Sequence, residues 1–176
     1  MDIKRTEIIA SAASEAEASE VYTAAVKALT EARLTVATAE SCTGGLMGKL
    51  ITDVSGASAV FSGGMITYTN NVKINKLGVS AEAIAQHTEV SFECAAEMAM
   101  RAREYFESDI GISATGYAGP TGGTDQDPVG TVYLGIATPF FVEVKRLSFN
   151  SADREQIRYG TAKIAAESLF CATKTT

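Results

Sequence analysis

The sequence predicts an α/β fold: a three-layer, helix-covered mixed sheet of about five strands, mostly parallel, with one antiparallel hairpin. Three observations predict it. Strand-like runs at 34–38, 60–68 and 110–115 are separated by segments in which apolar residues recur at helical spacing. Two alternating runs, 131–138 and 141–149, stand back to back across Pro139 and Phe140, the spacing of a hairpin. A chain of 176 residues has room for one domain with a substantial core.

Taken in order, residues 1–15 are polar and rich in Ala and Ser and read as a flexible lead. Residues 16–171 form the domain and 172–176 a tail. Val21, Ala25, Ala28 and Leu29 give a first helix up to about Arg33, and Leu34, Val36 and Thr38 alternate as a strand. Leu46, Met47, Leu50 and Ile51 are the apolar side of a helix that ends before Ser55-Gly56. The strand at 60–68 contains Gly63-Gly64, a bulge or a place of close backbone approach. A short helical turn over 70–77 stops at Gly78, and Ser80 caps the next short helix. A longer helix over about 90–106 buries Cys94, Met98, Ala102, Tyr105 and Phe106. The strand at 110–115 leads into GYAGPTGGTDQDPVG, a loop long enough to suggest a functional role. Ser151 caps a final helix carrying Ile157, Ile164, Ala165 and Leu169.

Composition excludes several function classes. Net charge is −6 and the basic residues are dispersed, so no stripe exists to neutralise a nucleic-acid backbone. The three cysteines, Cys42, Cys94 and Cys171, are far apart and match neither a disulfide framework nor a zinc site. They read as reduced thiols in a cytoplasmic protein. No apolar run approaches the roughly 20 residues needed to cross a bilayer, so no membrane is expected as a partner. With a single histidine, His87, metal sites built from several histidines are impossible, and little remains for a His-dependent triad. Ala-rich helix faces and short apolar strands leave a homo-oligomer open.

Chemistry concentrates at AESCTGG, 39–45, where a strand gives way to a helix. The first amides of a helix lack internal partners and face whatever anion or oxyanion stands before them. Neither the triphosphate-loop pattern nor the dinucleotide fingerprint is present. Ser41 is therefore either a capping residue or a nucleophile placed beside an oxyanion hole formed near Thr43 and Gly44.

A serine nucleophile needs a base. His87, between two helices, reads as a solvated loop residue. Lys73 follows directly on a strand end, and burial would lower its pKa into a useful range; otherwise it is a surface lysine. Tyr68 lies close by in sequence and could relay or orient a proton. Cys42 is a rival nucleophile, read here as a small buried residue that points away if Ser41 faces the site. Asp125 and Asp127 read as solvated turn formers, and no metal is assigned. Arg154, in the first turn of the last helix, opposes the helix dipole, a placement that is tolerable on the surface and that a phosphate ligand would also explain.

ESCTGG at 40–45, SGGMITYTNNVKINKLGV at 62–79, GYAGPTGGTDQDPVGTVY at 116–133 and DREQIR at 153–158 together resemble the CinA C-terminal domain family, over about 16–171. The resemblance is to its stand-alone members. It implies an amidohydrolase of pyridine nucleotide salvage in NAD metabolism, converting nicotinamide mononucleotide and water to nicotinate mononucleotide and ammonia, with no metal and no organic cofactor. Carried over by position, it implies Ser41 as nucleophile with Tyr68 and Lys73 completing the catalytic set. Thr43, Gly44 and Gly45 would bind substrate together with Thr115, Gly116, Gly119, Pro120, Gly122, Gly123 and Arg154. Tyr117 replaces the family's usual aliphatic residue. The alternative is a non-catalytic module of the same fold that binds a nucleotide or a partner protein.

Overall fold

Strand β2 (Val36–Glu40) is buried along its whole length, as befits a strand covered by helices on both faces. In the computed structural model, which describes residues 2–174, it lies between β3 (Phe61–Ile66) and β4 (Ile110–Gly116), parallel to both. β5 (Thr131–Ala137) pairs antiparallel with β4, β6 (Val142–Phe149) antiparallel with β5, and β1 (Ile3–Ala10) parallel with β6. The sheet thus has six strands in the order β1-β6-β5-β4-β2-β3. The expected hairpin is β5–β6. Because β5 runs against both its neighbours, there are two antiparallel ladders rather than one.

Three layers follow from side-chain alternation. On one face Val36, Ile112, Val132, Leu134 and Leu147 pack against α1 (Glu15–Ala32), α2 (Leu46–Thr52) and α6 (Arg154–Ala172). On the other face Ala37, Ala39, Tyr133 and Val144 meet α5 (Phe92–Tyr105), whose buried stripe runs through Cys94, Ala95, Met98, Ala99 and Ala102. Among the described residues no helix is long and apolar enough to cross a membrane.

The expected flexible lead is instead the edge strand β1. Ile3 packs into the α5 layer and Ile8 into the α1–α6 layer, so neither face shows a repeating apolar pattern in the sequence. At the other end Ala172, expected to begin a tail, is buried in α6, while Thr175 and Thr176 lie outside the described residues. The cap of α6 is Asp153 rather than Ser151; it forms a reciprocal capping box with Gln156. Tyr105 is exposed because α5 ends there, whereas the Phe106 ring crosses Gly63.

Gly63 and Gly64 do mark a bulge: Val36 pairs with Phe61 and Ala37 with Gly63, so Ser62 has no partner. A side chain at Gly64 would run into Thr38 Oγ1. The parallel strands β2, β3 and β4 deliver their carboxyl ends to one edge of the sheet, where open α/β folds gather functional groups.

Candidate active site

Ser41 extends β2 by one step, its amide donating to the Ala114 carbonyl at 2.9 Å. The chain then turns, with the Gly44 amide donating to the Ser41 carbonyl at 3.1 Å, and enters α2 through Gly45 at φ 95°, a conformation that favours glycine. The free amides expected at this helix start are largely occupied by the chain's own acid. The Glu40 carboxylate is buried and accepts from Gly45 and Met47 at 3.0 Å each and from Gly48 at 2.8 Å. Only the Cys42 and Thr43 amides of this turn donate to no other residue among those described. From outside, Arg158 donates to the Thr43 carbonyl through Nε at 3.2 Å and Nη2 at 2.6 Å.

Because Glu40 caps the helix, the Ser41 hydroxyl is not needed there. It accepts instead from Lys73 Nζ at 3.1 Å. Lys73 opens a wide, π-type turn (Lys73–Leu77) that continues the short helix α3 (Asn70–Val72), itself capped by Thr69. Widened turns of this kind recur at functional sites. The Lys73 amine also donates to the Thr67 carbonyl at 2.9 Å. With only 1% of its surface exposed, and with the Cys94 thiol of α5 near enough to act on its charge, Lys73 is no surface lysine. Burial pushes its pKa below the usual lysine range, against the opposing influence of Cys94, Glu89 and Cys42.

Ser41 and Lys73 open onto a cavity of about 380 Å³. Tyr68, Thr115, Gly116 and Arg154 share its wall, so the structure brings together six of the residues singled out in the sequence. Thr115 is fixed by its hydroxyl, which donates to the Glu89 carbonyl at 2.7 Å, and Tyr68 is largely exposed. Thr43, Gly44 and Gly45 stand behind the wall as the turn that carries Ser41. Gly119 contributes its carbonyl to Arg154 Nη1 at 2.8 Å. Pro120, Gly122 and Gly123 do not line the cavity. Gly122 faces the Tyr117 ring and Gly123 the backbone at Pro128–Val129.

The loop is tied down rather than free. Asp127, expected to be solvated, accepts from Tyr133 Oη and from Arg146 Nε, both at 3.0 Å. No cluster suited to a metal ion occurs among the described residues. Cys42 is buried, and desolvation raises its pKa to about 12, which keeps it a thiol. His87 lines a different cavity, 3.9 Å from Glu93. Sequence reasoning missed Glu40, Glu89 and Arg158. Arg158 sits four residues after Arg154, on the same helix face, and so had a readable signal; Glu89, in the link between two helices, had none.

Known proteins share this arrangement of chain. The model of the CinA C-terminal domain matches residues 18–172. A protein of Thermoanaerobacter sp. strain X514 that carries a competence-damage inducible name is 50% identical over 150 residues, which are 85% of this chain and 35% of that protein. A CinA-like protein of Kosmotoga olearia is 45% identical over 142 residues, 81% of this chain and 34% of its own length. The chain therefore spans about a third of these curated relatives. Among solved structures, a CinA superfamily protein from Klebsiella pneumoniae superposes with a TM-score of 0.86 at 31% identity, covering 90% of this chain and 99% of that one. A competence/damage inducible protein from Agrobacterium tumefaciens gives 0.85 at 34% identity, covering 90% and 96%. With a family model spanning nearly the whole described fold and close relatives in sequence and structure, the chain belongs to the CinA C-terminal domain family.

Proposed function

We propose that the protein hydrolyses the carboxamide of nicotinamide mononucleotide, releasing ammonia and nicotinate mononucleotide, with Ser41 as nucleophile and Lys73 as general base. The observation that carries this reading is the 3.1 Å contact between Lys73 Nζ and Ser41 Oγ, made by a buried amine with a lowered pKa. A neutral amine can accept the serine proton across that contact as Oγ bonds to the carboxamide carbon. The tetrahedral oxyanion would rest on the Cys42 and Thr43 amides, which donate to no other residue among those described.

The ammonium form of Lys73 then returns the proton to the amide nitrogen as the C–N bond breaks and ammonia leaves. Water, deprotonated by the same amine, attacks the acyl-enzyme; the proton passes back to Ser41 as the acid departs. Tyr68 on the cavity wall orients the amide, and Arg154 takes the phosphate. The identity of the nucleotide rests on the motif resemblance; the reaction class rests on the Ser–Lys pair.

The test is ammonia release from nicotinamide mononucleotide by purified protein, with and without chelator. Release insensitive to chelator, and reduced about 10³-fold or more in both Ser41→Ala and Lys73→Ala, is expected. Full activity in either variant removes the mechanism. Ligand binding without any release by the unaltered protein favours a non-catalytic module.

A further inference from the structure

The cavity contains a carboxylate for which this mechanism has no use. Glu89 lies on its wall beside Lys73, Tyr117 and Arg154. Its backbone is fixed in the link between α4 (Ala81–His87) and α5 by the hydrogen bond from Thr115 Oγ1 to its carbonyl. The side chain is half-buried, yet among the described residues it makes neither an ion pair nor a side-chain hydrogen bond. It shares the cavity wall with Lys73 and Tyr117, and its charge acts on both and on Cys94. An unpaired carboxylate on a cavity wall attracts a cationic ligand group, which would give it the partner it lacks within the chain. Lys73 cannot be that partner while it serves as a neutral base, and Arg154 makes no ion pair with Glu89 among the described residues; its Nη1 donates to the Gly119 carbonyl, which leaves its other donors for a ligand.

We propose that Glu89 is a specificity residue, which makes the cavity select an amide carried on a cationic ring and disfavour the acid formed from it. This rests on the amidase reading above. The cavity then has two poles: Glu89 for the positive ring, with the aromatic Tyr117 on the same wall, and Arg154 for an anionic group on the same ligand. The ligand class is a zwitterionic aromatic amide. Hydrolysis turns a neutral carboxamide into a carboxylate within reach of the Glu89 charge, and the repulsion favours product release.

The experiment measures binding by calorimetry in Ser41→Ala and in Ser41→Ala with Glu89→Gln. The probes are nicotinamide mononucleotide, its 1,4-dihydro form, whose ring is neutral, and nicotinate mononucleotide. The added Glu89→Gln change is expected to weaken the cationic-ring amide about tenfold relative to the neutral-ring form, equivalent to about 1.4 kcal/mol, and to tighten the acid. A merely structural role would weaken all three together. That result, or an unchanged ratio between the two amides, overturns the inference. Ammonia release by the unaltered protein is measured in parallel. If no ammonia appears but the charge preference is found, the reaction is wrong and the selectivity stands; if neither amide binds, both fall.

Discussion

Glu40 stands immediately before the proposed nucleophile, and its position invites a chemical role. The structure gives it a mechanical one. Its carboxylate holds three amides of the α2 start, of which Met47 is buried and Gly45 and Gly48 half-buried. Leaving a buried donor unsatisfied costs about 1–3 kcal/mol, and the two half-buried donors can recover part of theirs from water. Glu40→Ala should therefore destabilise the fold by about 3–5 kcal/mol, a large share of the 5–15 kcal/mol typical of a domain. Glu40→Gln keeps one acceptor oxygen but turns an NH₂ group towards an amide donor, so it should cost about 1–2 kcal/mol.

Urea unfolding followed by circular dichroism gives both values, and ammonia release on the same samples gives turnover. The Gln variant should keep measurable activity under conditions where it is folded. Two results would refute the reasoning. An Ala variant within about 0.5 kcal/mol of the unaltered protein would show that the cap contributes little. A Gln variant that is stable yet inactive by about 10³-fold would make Glu40 a chemical participant.

Lys73→Met should abolish ammonia release and change the pH dependence of stability. The folded state binds the Lys73 proton less tightly than the unfolded chain, so the unaltered protein should gain stability relative to the variant as pH rises from the lowered folded pKa to about 10.4, the ordinary lysine value. A difference that stays flat across that window in urea titrations would contradict a buried amine with a depressed pKa. Arg158→Met removes both donors to the Thr43 carbonyl. It should lower kcat about 10- to 100-fold with KM within about threefold, because the arginine steadies the turn rather than the ligand; a selective rise in KM would reassign it to substrate binding. With Cys42 and Cys94 both raised to about 12 by burial and Cys171 exposed, one thiol should react rapidly with a disulfide reagent at pH 7.5. The other two should be slower by roughly a thousandfold until the protein is unfolded. Rapid labelling of Cys42 in the native state would revive it as a nucleophile.

The alternation of strands with helical segments was readable because each segment carries its own periodicity, as in the β2–α2–β3 crossover. Pairing was not readable to the same depth. The β4–β5 ladder joins strands on either side of a long loop, and nothing local in 131–137 specifies that neighbour. β1 was hidden because Ile3 and Ile8 serve opposite faces, so charged residues dominate its pattern. At the site, Ser41, Tyr68, Lys73, Thr115, Gly116 and Arg154 were legible as motif residues, but the burial of Lys73 was not. Its local sequence, NNVKINK, mixes apolar and polar residues without a clear period, and the turn it opens packs on α5, a tertiary contact. Glu89 reaches the cavity in the same way, through the packing of two helices.

The two sequence readings of Ser41, a helix cap or a nucleophile, are separated by what Glu40 does. A serine that caps donates its geometry to the helix and has its oxygen occupied by an amide. Here the amides of Gly45, Met47 and Gly48 belong to Glu40, that of Gly44 to the Ser41 carbonyl, and the serine oxygen to an amine. Capping by the preceding acid thus frees the hydroxyl, while the Cys42 and Thr43 amides donate to no other residue among those described, the two conditions an acyl-transfer site requires. An arrangement selected only for stability would have no reason to bury a lysine with a depressed pKa against that hydroxyl, since desolvating an amine opposes folding at neutral pH. The Ser41–Lys73 contact is therefore better explained by chemistry than by structure, and the pH-dependent difference in stability between the unaltered protein and Lys73→Met is the physical measure of it.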